Sequence, residues 1–316
     1  MAVYTKIPDE ALEVFIEEYD IGKIQFLKGI EEGVENSNFL LKTDRGTYIL
    51  TIYEKRVDIN DLPFFLGLMN HLASKNFPCP TPLHGCDGKA LRKLCDKPAA
   101  LISFMTGLGT RRITSNHCLA VGRAAAKLHM AGKDFDLSRK NSLDISAWQK
   151  IFELTKTRAG EIDDKIVIEI EKELEILYQN WPKNLPSGII HADLFPDNVF
   201  FKGKKLSGII DFYFACNGFL AYEIATCINA WCFEKDGSFN SNKVSSLIEG
   251  YNSVRPLEQI EIDFLPLLAR GSALRFLLTR LYDLLNHPEG ALVNPKDPLE
   301  YLERLRFHKS YNGNYT

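Results

Sequence analysis

The stretch Gly188-Ile-Ile-His-Ala-Asp-Leu-Phe-Pro-Asp-Asn-Val-Phe-Phe201 carries His191, Asp193 and Asn198, spaced His-x-Asp-x-x-x-x-Asn. A second apolar run, Ser207-Gly-Ile-Ile-Asp-Phe212, follows and carries Asp211. Phosphoryl transfer from ATP needs a carboxylate to orient an attacking hydroxyl and accept its proton. It also needs an amide oxygen and a second carboxylate to hold Mg2+ against the phosphates. Asp193, Asn198 and Asp211 supply these groups in that order. His191 completes the catalytic set, holding the loop by hydrogen bonds rather than moving protons. A His and an Asp two apart carry little weight alone. The full loop between two β-rich runs, with Ile-Ile-Asp at the right distance, carries much more. The plain alternative is a hairpin in which Asp193 and Asp197 act only as turn and cap residues.

Protein kinases carry the same residue types as His-Arg-Asp-Leu-x-x-x-Asn followed by Asp-Phe-Gly. Here Ala192 replaces the Arg, and Asp211-Phe212-Tyr213 stands at the Asp-Phe-Gly position.

The elements that must position this loop can be read from periodicity. Leu12, Phe15, Ile16 and Tyr19 give residues 8–19 a helical apolar face, with Pro8 near the start. Short β-type runs follow at 24–27, 37–42 and 48–53, the last two joined by a turn centred on Arg45-Gly46. The loop at 29–38 would lie over the phosphates, with Asn36, Ser37 and Asn38 as donors; an ordinary surface loop reads the same way. A kinase would place a Lys on the next strand and a Glu on the next helix. This strand has Thr51 near that position, and helix 61–72 has no Glu. Lys55 and Arg56 follow the strand, either as substitutes or as solvated loop charges. Beyond the stiff Pro78-Cys-Pro-Thr-Pro82 segment, a turn at Asp87-Gly88 leads to strands at 90–94 and 99–105. The second strand would enter a hinge whose backbone at Ser103, Phe104 and Met105 meets the adenine; a buried strand is the alternative. From about residue 110 the pattern turns helical: 114–130 with a Thr-Ser cap, 144–158, 163–180, then 219–233, 241–252, 259–286 and 298–306. The predicted class is α+β, a bilobal protein-kinase-like fold. A small antiparallel nucleotide-binding lobe occupies 1–105, and a larger, mainly helical catalytic and acceptor-binding lobe occupies 106–316.

Composition agrees with a globular chain. Of 316 residues, 45% are hydrophobic and 25% charged, enough to bury a sizeable core. A net charge of −3 without a basic run recommends neither nucleic acid nor an anionic membrane. No stretch approaches the ~20 apolar residues of a membrane span, and the first residues do not read as a signal peptide. Seven scattered cysteines without a Cys-x-x-Cys pair read as reduced thiols. The expected setting is the cytoplasm, as a monomer or homodimer. His129 and Trp231 read as interior residues.

The loop and Asp211 resemble the aminoglycoside-phosphotransferase and choline-kinase branch of the kinase-like fold. More narrowly, 191–201 and 211–217 are similar to the bacterial homoserine kinases of that branch. So are Ile228-Asn-Ala-Trp-Cys-Phe-Glu234, 269–280 and Pro295-Lys-Asp-Pro-Leu-Glu-Tyr-Leu302, and the resemblance covers nearly the whole chain. It implies transfer of the ATP γ-phosphoryl group to the side-chain hydroxyl of L-homoserine, on the route to threonine. One departure is Glu223, which stands where the family implies an Asp that braces the catalytic loop.

A zwitterionic acceptor calls for a cation at its carboxylate. Arg275 and Arg280, five apart on one helix and about 140° around it, are the candidates; structural ion pairs are the alternative for each. Tyr213, Asn217 and Asn229 follow the second metal ligand closely enough to line the acceptor site. Rival readings are a kinase for choline, ethanolamine or an aminoglycoside, and an inactive ATP-binding protein. A choline site wants an aromatic and acidic cage, and an inactive protein has no use for Asp193.

Overall fold

The computed structural model describes residues 5–30, 36–54, 58–287, 295–311, 313 and 315. The first helix, α1 (Asp9–Glu17), starts after Pro8 and buries Leu12, Phe15 and Ile16. Five strands make one antiparallel sheet: β1 (Ile24–Ile30), β2 (Ser37–Thr43), β3 (Thr47–Ile52), β4 (Arg92–Leu94) and β5 (Lys97–Ser103). Their order is β1-β2-β3-β5-β4, with α2 (Leu62–Ser74) inserted between β3 and β4. The period-2 pattern gives the sheet two apolar faces. Phe39, Leu41, Leu50, Ile52 and Leu101 pack with α1 into a small outer core. Tyr53, Ala100 and Ile102 join α2 and the rest of the chain in a second, continuous core.

The remainder is mainly helical. It comprises α3 (Ser115–Ala131), α4 (Ile145–Ala159), α5 (Ile166–Asn180), α6 (Leu220–Trp231), α7 (Ser241–Asn252), α8 (Gln259–Leu285) and α9 (Leu299–Ser310). The Thr114 cap is realised as a reciprocal box with His117. Helices α3 and α7 touch backbone to backbone. A Cβ on Gly122 would fall 1.9 Å from the Leu247 carbonyl oxygen, and one on Gly250 2.0 Å from that of Leu119. Only glycine fits at either position.

Four short strands lie among these helices: β6 (Ser187–Ile190), β7 (Val199–Lys202), β8 (Lys205–Ile209) and β9 (Cys216–Phe219). The loop at 191–198 lies between β6 and β7, but those strands do not pair with each other. β6 pairs with β9 and β7 with β8. The simple hairpin alternative is therefore not what forms. The loop instead bridges two separate ribbons, which fixes both of its ends. Among the described residues no helix is long and apolar enough to cross a membrane.

Candidate active site

The loop is held by bonds that converge on its backbone. Glu223, in the first turn of α6, accepts from the backbone N–H of His191 at 2.5 Å and of Ala192 at 3.0 Å through one oxygen. Ala192 is left-handed, at φ +61°, a conformation costly for any residue with a Cβ and maintained by its surroundings. The Glu in place of the expected Asp thus keeps the brace. Burial pushes the Glu223 carboxyl up to about 7, outweighing the two N–H bonds that favour its charge. The Trp231 indole donates to the Leu194 carbonyl at 2.8 Å, so its interior position also supports the loop.

His191 is fully buried, and its Nε2 donates to the Ile210 carbonyl at 2.9 Å. The Ile210 N–H in turn donates to the Asn198 carbonyl at 3.0 Å. Both polar groups of Ile210 are therefore tied to the loop, and the next residue, Asp211, turns left-handed at φ +66°. Burial lowers His191 to about 4, so the imidazole is neutral near pH 7 and serves to hold the loop.

Asp193 receives the Asn198 amide on its carbonyl at 2.8 Å and on Oδ2 at 3.0 Å. The Arg275 guanidinium stands 3.7 Å from Oδ1, with 19% of the Asp193 side chain exposed. Burial raises the Asp193 pKa above the ordinary carboxylate value; Arg275 and Lys296 oppose that shift without cancelling it. The result is an anchored, partly open carboxylate of raised basicity, suited to accept a proton.

The donor set fits one hard cation shared with phosphates. Asn198 spends its amide nitrogen on Asp193, which directs its oxygen elsewhere, and its carbonyl is tied to Ile210, the residue before Asp211. Among the described residues no group of three or more His, Cys, Asp or Glu side chains could hold a metal.

The small lobe's contribution differs from expectation in places. Asn38 and Thr51 are paired across β2 and β3, and the Thr51 hydroxyl donates to Asn38 Oδ1 at 2.8 Å. Thr51, expected near the position of a kinase Lys, thus makes a neutral link. Ser37 lies on the opposite face of β2 with Phe39 and Leu41. It is fully buried and donates to Glu54 at 2.6 Å. Placing Ser37 over the phosphates is therefore corrected; strand alternation turns it into the outer core. Asn36 accepts from the Glu54 N–H at 3.3 Å. Lys55 and Arg56 lie outside the described residues, as does 31–35 of the expected phosphate loop.

Beyond β5 the chain runs against the β7–β8 ribbon. A Cβ on Gly208 would meet the Met105 side chain, and the Ser207 hydroxyl donates to the Thr106 carbonyl at 2.9 Å. Phe104 is exposed. Ser103 spends its N–H on the Thr81 carbonyl at 2.9 Å and its hydroxyl on the Thr81 N–H at 2.8 Å, so that N–H is not available to adenine.

Among the acceptor candidates, Arg275 is brought to Asp193. Its guanidinium also lies 5.3 Å from the Phe214 ring centre and 3.8 Å from that of Phe276. Tyr213 stays near the centre, its hydroxyl 3.3 Å from that of Tyr53 at the end of β3. Three candidates are committed elsewhere. Arg280 donates to the Asp297 carbonyl at 3.0 Å and to Glu300 at 2.5 Å. Asn229 is fully buried, donating to the Ala269 carbonyl and accepting from His308. Asn217 is exposed and fastens the 139–140 segment to β9. The acceptor-site reading of Asn229 is therefore corrected, because helix α6 places it in the interior with its amide nitrogen and oxygen both bonded.

Arg139 is a residue the sequence did not disclose. Its Nε donates to Asp61, before α2, at 2.5 Å; its Nη1 donates to the Ala215 carbonyl at 3.3 Å; and it lies 4.9 Å over the Phe65 ring. It ties α2 to the strand following the Asp211 turn.

Comparison with known proteins identifies relatives of the chain. The sequence profile of the phosphotransferase enzyme family matches residues 27–257. The chain is 59% identical to a homoserine kinase of Parvibaculum lavamentivorans, covering 98% of this chain and 96% of that protein. It is 57% identical to a homoserine kinase of Paramagnetospirillum magneticum, covering 99% and 98%. Among solved structures, an amicoumacin kinase in complex with AMP-PNP, Ca2+ and its ligand superposes with a TM-score of 0.70, at 13% identity, over 95% of this chain and 91% of that one. The chain belongs to the phosphotransferase enzyme family, in its homoserine kinase group.

Proposed function

We infer that this protein transfers the γ-phosphoryl group of ATP to the side-chain hydroxyl of L-homoserine, giving O-phospho-L-homoserine and ADP on the route to threonine. The observation that carries the reading is the Asp193 carboxylate, fixed by Asn198 and Arg275 at the end of a loop braced by Glu223. In the proposed mechanism the homoserine hydroxyl donates its proton to Asp193 as its oxygen attacks the γ-phosphorus. The bond from that phosphorus to the β–γ bridging oxygen breaks, and ADP leaves. Because the transition state is loose, most of the acceleration comes from alignment and charge neutralisation.

Asn198 and Asp211 would hold Mg2+, which supplies neutralisation of the phosphate charge. His191 keeps Asp211 in register through Ile210. Arg275 favours the ionised form of Asp193. The nucleotide is assigned to the lobe at 1–105, against the 104–107 hinge, with Asn38 toward the phosphates, and the acceptor to 106–316. The setting that supplies ATP and free amino acids is the cytoplasm. ADP release with Mg-ATP and L-homoserine, L-serine, choline or kanamycin tests the reading. Turnover with homoserine far above the other three supports it, and preference for any of the others overturns it.

A further inference from the structure

Neither arginine proposed for the acceptor carboxylate is uncommitted, since Arg275 faces Asp193 and Arg280 is paired with Glu300. A cavity of about 540 Å³ opens between the 109–111 turn, residues 195–197 of the catalytic loop and the α8–α9 side. Its charged lining is Arg111, Arg280, Lys296 and Arg304 against Asp197 and Glu300. Both carboxylates are already partnered. Glu300 is gripped by Arg280 and Arg304, two arginines only 10% and 11% exposed in their side chains, and so belongs to the frame. Asp197 and Lys296 are different: they meet at 2.7 Å with side chains 60% and 57% exposed, Lys296 standing 5.3 Å over the Phe195 ring. The Phe195 N–H donates to the Asp193 carbonyl at 2.8 Å, so the ring under Lys296 is fastened to the backbone of Asp193.

We propose that the Lys296–Asp197 pair reads the zwitterionic end of the acceptor, Lys296 taking the α-carboxylate and Asp197 the α-ammonium. An exposed ion pair is weakly bound to itself. An amino acid carries the same two charges a few ångströms apart. Inserting it across the pair replaces one solvated contact with two charge-assisted ones, and the surplus of cations around the cavity favours the carboxylate. The hydroxyl at the other end of the acceptor then lies toward Asp193, four residues back along the loop. This assignment rests on the homoserine reading and adds to it the residues that discriminate an amino acid from a simple amino alcohol.

The test compares L-homoserine with 3-aminopropan-1-ol, which lacks the carboxylate, and 4-hydroxybutyrate, which lacks the amine. In Lys296→Met, kcat/KM for homoserine is expected to fall ~10–100-fold, the scale of one charge-assisted hydrogen bond. The figure for 3-aminopropan-1-ol should change only a few-fold, so that the preference for homoserine collapses. Asp197→Asn should depress homoserine and 3-aminopropan-1-ol together and spare 4-hydroxybutyrate. An unchanged preference in Lys296→Met overturns the proposal, as does a loss that falls on the KM for ATP, which would make Lys296 a phosphate ligand. A wild-type protein that ignores homoserine would defeat the underlying reading instead, so the two failures are distinguishable.

Discussion

The catalytic loop and the strand facing it solve the same problem in opposite ways. On the loop side each anchor is strong and charged or fully buried: Glu223 on two N–H groups, His191 on Ile210, Arg275 beside Asp193. On the strand side the described contacts nearest the loop are neutral, Thr51 to Asn38 and Tyr53 to Tyr213, while the charged pair of Lys97 with Glu54 is tied to the buried Ser37. The charged link to α2 comes from the other lobe, through Arg139 and Asp61. The charged and buried anchors are therefore concentrated on the loop that carries Asp193. The small sheet is held by its packing against α1 and α2, by the Lys97–Glu54 pair and by the long-range Arg139 clasp.

The largest expected effect lies on the loop side. Arg275→Ala should lower kcat for homoserine ~10²-fold with ATP affinity little changed, the scale of a positioned proton acceptor. Losing the guanidinium also raises the Asp193 pKa further, so the acidic limb of the pH–rate profile should move to higher pH. A limb that stays in place would show that Arg275 does not act on Asp193.

The Glu223 brace gives a stability prediction with a definite sign. Its folded pKa, about 7, lies above its ordinary 4.5, so the folded state binds the extra proton between those values. Stability from this group is greatest below 4.5 and is lost as pH rises to about 7, by about 3 kcal/mol. Glu223→Gln can still accept both N–H bonds but does not titrate. Its stability relative to wild type should therefore rise between pH 5 and 8 in denaturant titrations; a constant difference would mean that Glu223 stays ionised throughout.

A smaller effect is expected across the lobes. Arg139→Ala should reduce kcat/KM for ATP ~10-fold, from the loss of hydrogen bonds to a charged group. Arg139→Lys should recover part of it, because a lysine can still reach Asp61 but cannot also serve Ala215. If Arg139→Ala changes only thermal stability, the clasp plays no part in nucleotide engagement.

What could be read in the sequence was whatever is local. The helix beginning at Ser115 was legible from its cap, and the loop from the spacing of Asp193, Asn198 and Asp211. Strand β2 was legible as a strand, but the direction of Ser37 depended on its pairing with Ile52, which places it with the outer core. The sites of Asn217 and Asn229 depended on where β9 and α6 lead the chain. The Arg139 clasp joins residues 78 positions apart and leaves no local signature. The ion pair of Arg270 with Glu173, 97 apart, is hidden for the same reason.

The central claim is that Asp193 takes the proton of homoserine. It is tested most directly by measuring ATP affinity and homoserine-dependent ADP release together in wild type and Asp193→Asn. Unchanged ATP binding with turnover reduced at least ~10²-fold is the predicted result. Turnover kept within a few-fold of wild type would contradict the claim.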